Sequence, residues 1–139
     1  MRFPALALVL FVSLVPCHSQ ESAQRRACNK TANSPTEMNS CANKELGRTE
    51  SKLKGVYERL LSKAKQIPGA TAKVEAAEKA WIQYRDAYME ALYPEEDKQR
   101  AYGTVYPMDY ADFCTGLTQK QIEALREMER MYDEEASRQ

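Results

Sequence analysis

The chain has 139 residues, 43% of them hydrophobic and 29% charged, with 20 basic side chains balanced by 20 acidic ones. A formal charge of +0 leaves no surplus of lysine and arginine to neutralise a phosphate backbone, which argues against a nucleic-acid partner. The length suits one domain with one core, and few glycines among abundant Ala, Leu, Glu, Lys and Arg favour helices.

The first segment, MRFPALALVLFVSLVPCHSQ, has one charge at Arg2, an apolar run from Phe3 to Val15 and small residues near its end. That is the layout of a secretory signal peptide spanning 1–19, with a cut after Ser19 and a periplasmic or secreted product. The stretch from Leu14 to Cys17 loosely matches the box that precedes a lipid-modified cysteine. Pro16 occupies the place of the small residue, so cleavage after Ser19 is preferred to anchoring at Cys17. The run is shorter than the ~20 apolar residues of a membrane span, and no integral span is expected.

Cleavage changes the available chemistry, because it removes His18, the single histidine. Without it the mature chain can build neither a Ser/His/Asp or Cys/His nucleophile nor the usual histidine-containing zinc site. It keeps 20 acids against 19 bases. Cys28, Cys41 and Cys114 remain, and in an exported protein they read as disulfide partners with one left over.

Residues 20–33 are polar and without period, a tail held only where Cys28 is bonded. SPTE at 34–37 then offers Ser34 as N-cap, Pro35 at the first helical position and Glu37 at the third. From there Ala42, Leu46, Thr49, Leu53, Val56, Leu60, Ala64 and Ile67 follow at steps of three and four. They predict a first long helix from about Pro35 to about Gln66, with Gly47 and Gly55 as weak spots and Pro68-Gly69 as its stop. Beyond the turn, Val74, Ala77, Trp81, Tyr84, Tyr88 and Ala91 predict a second helix from about Ala70 to Leu92, ended by Pro94.

The next segment, 93–114, carries two prolines, one glycine and four tyrosines without a clear period, so it reads as a long functional loop with room for a turn or two of helix between Glu95 and Tyr102. TQKQ at 118–121 is a second capping box, and Ile122, Leu125, Met128 and Tyr132 give the buried face of a last helix to about Glu135. The expected fold is all-α: an antiparallel three-helix bundle over 34–136, made of a long helical hairpin and a C-terminal helix. This arrangement gathers all three cysteines at one end. Any pair is geometrically open; Cys28 with Cys41 closes the shortest loop and is preferred.

Among candidate sites, AWIQYRDAY at 80–88 places Trp81, Tyr84 and Tyr88 on one face. They are expected to fill the core, with Arg85 stacking on Trp81 and pairing with Asp86 or a carboxylate of the long loop. The acidic groups Glu95, Glu96, Asp97 and Glu134, Glu135 read as solvated, and Cys114 lacks the histidine that would activate it. Asn29-Lys30-Thr31 is a glycosylation sequon, which matters only in a glycosylating host. No glycine-rich phosphate loop, Cys-x-x-Cys pair or EF-hand spacing is present. The reading is of a non-enzyme with no metal and no cofactor.

Cys28, EMNSCAN at 37–43, LKGVYERL at 53–60, AEKAWIQYRDAY at 77–88, YGTVYP at 102–107 and Cys114 followed by Leu117-Thr118 together resemble the LprI-like lysozyme inhibitor family of exported bacterial proteins. Many members resembling this chain carry a further cysteine after the RDA triplet, where Met89 stands here, and a glycine pair in the long loop that is reduced here to Gly103. If that cysteine bonds the one before the last helix, Cys114 is free, which fits a Cys28–Cys41 bond. The resemblance implies a helical export protein that binds a protein partner, with lysozyme the leading candidate. Lysozymes are typically basic with an acidic cleft, so an inhibitor needs a polar or aromatic protrusion with acidic flanks. Glu95, Glu96, Asp97, Tyr102, Tyr106, Asp109 and Asp112 supply those residue types. The rival reading is an envelope structural or assembly factor that binds no lysozyme.

Overall fold

The computed structural model describes residues 21–138; the expected signal peptide, with Cys17, His18 and the cut after Ser19, lies outside that range. The described residues are all-helical: α1 Ala23–Thr31, α2 Pro35–Ala64, α3 Ala70–Leu92, α4 Lys98–Tyr102, a 3-10 turn at Gly103–Val105, and α5 Tyr106–Ala136.

The all-α expectation stands, but two segments differ from it. Residues 23–31, expected as a tail, form α1. The Ser22 hydroxyl accepts the Arg25 N–H at 3.0 Å, and Cys28 is bonded to Cys41 across a Cα separation of 5.7 Å. The second difference is the start of the last helix. The TQKQ box is not used as a cap: Thr118 is fully buried inside α5 and its hydroxyl donates to the Cys114 carbonyl at 2.8 Å. Pro107, in the first turn, starts the helix instead, so the second half of the expected loop is helical.

The other boundaries follow their signals. Ser34 caps α2 by accepting the Glu37 N–H at 3.3 Å, while the Glu37 carboxylate accepts the Asn33 N–H at 2.5 Å. α2 continues through Gly47 and Gly55 to Ala64. Gly69, at φ 76°, takes the left-handed turn that a side chain would resist. Tyr93 then closes α3 with a backbone bond from its N–H to the Met89 carbonyl at 3.0 Å, just before Pro94.

α2 and α5 share the largest interface. Asn39 reaches Thr104, Arg59 reaches Glu129 and Lys63 reaches Asp133, so the two helices run in the same direction. α3 returns against them: Gln121 donates to Glu78 at 2.8 Å, and Tyr93 packs on Phe113. At the end near the α2–α3 turn, Leu53, Val56, Leu60, Ala64, Ala70, Val74, Ile122 and Leu125 form an aliphatic core. Toward the other end the interface narrows to Ala42, Thr49, Ala111, Thr115 and Thr118, residues small enough to let α2 and α5 approach closely.

Candidate functional site

The segment after α3 is folded into a cap. Asp97 accepts the Arg100 N–H at 3.0 Å and starts α4, and Gly103, at φ 71°, ends it. Tyr93, 8% exposed, sits at the centre of this cap. The Tyr102 and Tyr106 rings meet it edge-on at 5.1 and 5.0 Å, and Phe113 does so at 6.3 Å. Tyr106 passes the contact on to Tyr110 at 5.8 Å. Met89, Cys114, Leu46 and Leu117 close the cluster from below. Such edge-to-face rings stabilise one another beyond the area they bury.

Polar groups lock this arrangement. The Tyr102 hydroxyl accepts the Glu95 N–H at 3.3 Å, and Lys98 donates to Glu90 at 3.0 Å and to the Tyr93 carbonyl. Burial pushes the hydroxyls of Tyr93 and Tyr110 upward, so both remain neutral donors. Burial also pushes the Cys114 thiol up, against the partial relief of Tyr110 and Arg85. Cys114 is free and buried beside Met89 in the same cluster, a protonated core residue.

The seven expected contact residues do not share one surface. Glu95 and Glu96 are exposed, and among the described residues neither forms an ion pair. Asp97 is engaged as the cap of α4, and Tyr102 and Tyr106 are half-buried in the ring cluster. Asp109 lies in the first turn of α5, where a negative charge favours the helix dipole. Asp112 points elsewhere, to Arg25 of α1 at 3.3 Å.

AWIQYRDAY is divided between inside and outside. Trp81 packs against the aliphatic core and the Arg85 guanidinium lies 5.4 Å from its ring centroid. Arg85 donates twice to Asp86, at 2.9 and 2.8 Å, and faces Glu50 at 3.9 Å. Burial works against its charge, but the hydrogen bond and charge of Asp86 together with Glu50 and Cys114 more than offset this and push it up. Tyr84 and Tyr88, expected in the core, are on the surface at 55% and 40% exposure, their rings 5.9 Å apart. Asp86 too is largely solvent-facing. The inward face of α3 is Val74, Glu78, Trp81, Arg85 and Met89, a helical stripe hidden from an apolar count because two of its members are charged.

α1 adds residues that hydrophobic periodicity does not reveal. Arg25 is 5% exposed and donates to the Met38 carbonyl at 3.2 Å as well as to Asp112. Close by, Glu45, also 5% exposed, accepts from Arg48 at 2.6 Å. Burial raises the Glu45 carboxyl, yet hydrogen bonds from Arg48 and Ser22 and the charges of Arg48 and Lys52 bring it below its ordinary value. The only available signal was Ser22 three residues before Arg25, a capping residue in a segment with almost no apolar side chains.

A family model described as Lysozyme inhibitor LprI matches residues 28–125. The match runs from the first disulfide cysteine through most of α5, and the chain belongs to this family. No curated protein and no solved structure matches the chain.

Proposed function

We propose that the protein is exported and inhibits lysozyme by binding it as a folded protein partner, thereby protecting the cell wall. The family match across 28–125 carries this reading. The Cys28–Cys41 disulfide is in keeping with an oxidising compartment, and no helix among the described residues is long and apolar enough to cross a membrane.

The surface best suited to the contact is the last part of α3 with the cap that follows it. Tyr84, Tyr88 and Leu92 lie at steps of four on one stripe, all exposed. Two tyrosines with few rotatable bonds are good anchors for a protein interface. Glu95 and Glu96, exposed in the turn after α3, add unpaired negative charge suited to a basic partner. Tyr102 and Tyr106 contribute ring edges and hold the acidic turn in place, whereas Asp97 is structural. The cap is held by its own ring contacts and hydrogen bonds, and little ordering cost falls on binding.

The test is lysis of bacterial cell walls by lysozymes of several classes, followed with increasing amounts of the oxidised mature protein. Saturable inhibition of at least one class is expected. Failure against every class removes the inhibitor reading.

A further inference from the structure

The outer face of α3 is built differently from its inner one. There Ala77, Ala80, Tyr84, Ala87 and Ala91 follow at alternating steps of three and four, the seven-residue spacing of a helix-pairing seam, and all five are exposed. A helix face that stays in water ordinarily carries charge at such positions. Exposed Tyr88 and Leu92 widen the seam on one side. With 23 residues α3 is about 34 Å long, enough for a second helix to lie along it. We propose that this seam pairs with the same seam of a second copy of the chain, the two α3 helices antiparallel about a two-fold axis at Tyr84.

A two-fold contact needs a surface that complements itself when reversed. Reversal about Tyr84 sets Ala77 against Ala91 of the second copy and the Tyr88 ring against the small Ala80, while the two Tyr84 rings meet at the axis. The charges follow the same reversal. On the exposed side the first half of α3 carries Lys73 and Lys79, and the second half with the turn after it carries Asp86, Glu90, Glu95 and Glu96. Of the acids in the first half, Glu78 is buried against Gln121 and Glu75 lies near Tyr57 of α2. Among the described residues Lys73, Lys79, Glu95 and Glu96 form no ion pair.

Lys79 and Glu90 lie about three helical turns apart on one flank of the seam, and in an antiparallel pair each flank meets its own counterpart. The register at Tyr84 therefore brings Lys79 to Glu90 of the second copy and Lys73 to Glu95, twice each by symmetry. Glu90 accepts from Lys98 through one oxygen only, so the other is open to this contact. A parallel register would oppose Lys79 to Lys79 and Glu90 to Glu90. Shape and charge that reverse about one residue designate a second copy, since a foreign partner imposes no such symmetry. This association does not rest on the inhibitor reading, but it covers Tyr84 and Tyr88. A paired copy is closed to lysozyme, and dissociation on dilution opens the surface.

The experiment is sedimentation equilibrium of the oxidised mature protein from low micromolar to near-millimolar concentration. A reversible monomer–dimer equilibrium is expected. Lys79→Glu and Glu90→Lys should each weaken it by about tenfold, because each sets two like-charged pairs in the contact. Mixed in equal amounts, the two variants should associate as the parent does, since each presents the charge that the other lacks. All three side chains used are exposed, and helical circular dichroism of every variant should match the parent's. Lys73→Glu, in the first turn of α3, weakens the dimer in the same way if Glu90→Lys disturbs the Lys98 contact. A monomer at every concentration, aggregates in place of dimers, or a mixture that associates no better than its components overturns the proposal. Lysozyme inhibition without a dimer removes the self-contact and leaves the inhibitor reading, whereas a dimer without inhibition supports the seam and removes that reading.

Discussion

The two ends of the molecule are held together by different physics. Near the α2–α3 turn, side chains such as Leu60 and Val74, 0% and 2% exposed, make a core of aliphatic area removed from water. At the opposite end small residues are joined by buried Tyr93 with half-buried tyrosines around it, a thiol, Arg25 and Glu45, tied by a disulfide and by hydrogen bonds between named atoms. The first kind of order is nondirectional and tolerates changes of surface residue. The second is directional, and it holds rings and charges in fixed positions at a surface, as recognition requires.

Substitutions should separate the ends, beginning with the most damaging. Leu60→Ala empties a fully buried site and is expected to cost about 3 to 4 kcal/mol, read as a lower denaturant midpoint for the whole molecule. Reducing the Cys28–Cys41 bond, which links positions 13 apart, is expected to cost up to about 3 kcal/mol. Its effect should be local: hydrogen exchange rises in α1 while the amides around Leu60 stay protected. Equal loss of protection at both ends would erase the distinction. Arg25→Ala strands the Met38 carbonyl and Asp112 and should cost about 2 kcal/mol, again with α1 loosened first. Asp97→Ala removes the cap of α4 and should cost about 1 kcal/mol, detectable as changed resonances of the tyrosine cluster.

Acid should also affect the polar end first. The folded Glu45 carboxyl lies below its ordinary value, so its stabilisation is present above the unfolded pKa and is lost as pH falls through the folded one. Asp112 is shifted upward and acts in the opposite sense, favouring the fold as its carboxyl takes up a proton. The net acid response is therefore smaller than Glu45 alone would give, and Asp112→Asn should remove the gain in stability that accompanies protonation of Asp112 at and just above the ordinary carboxylate range, leaving a steeper net loss. A flatter acid limb in that variant would contradict the assignment.

The same division governs what the amino-acid pattern revealed. α2 was readable because Leu53, Val56 and Leu60 repeat at helical spacing behind a Ser34-Pro35-Glu37 start, and the turn was readable from Pro68-Gly69. The Cys28–Cys41 pairing, which the structure shows, is the preferred one of three geometrically open pairings because it closes the shortest loop. α5 was cut short because its upper half is buried through Ala111, Thr115 and Thr118, small residues that make close helix contacts without registering as hydrophobic. In α3 the register was read through Tyr84 and Tyr88, since the true inward positions Glu78 and Arg85 look like surface residues until their partners, Gln121 and Asp86, are known. α1 was missed because its anchors are a cap, a disulfide and one buried arginine. Glu95 and Glu96 are exposed as their acidic run suggests, and the tyrosine pair of α3, expected in the core, lies on the surface. Periodicity does not tell which of two adjacent helical stripes meets the core when one is aromatic and the other charged.

The most direct test of the account compares lysozyme inhibition by the oxidised protein with that of Tyr84→Ser/Tyr88→Ser and of Glu95→Gln/Glu96→Gln, each beside its own thermal unfolding curve. Because all four side chains are on the surface, stability should change by no more than about 0.5 kcal/mol for each residue. The account predicts weakened inhibition in both double variants at nearly unchanged melting temperature. Full inhibition by both variants, or a melting temperature that collapses when the tyrosines are replaced, would contradict it.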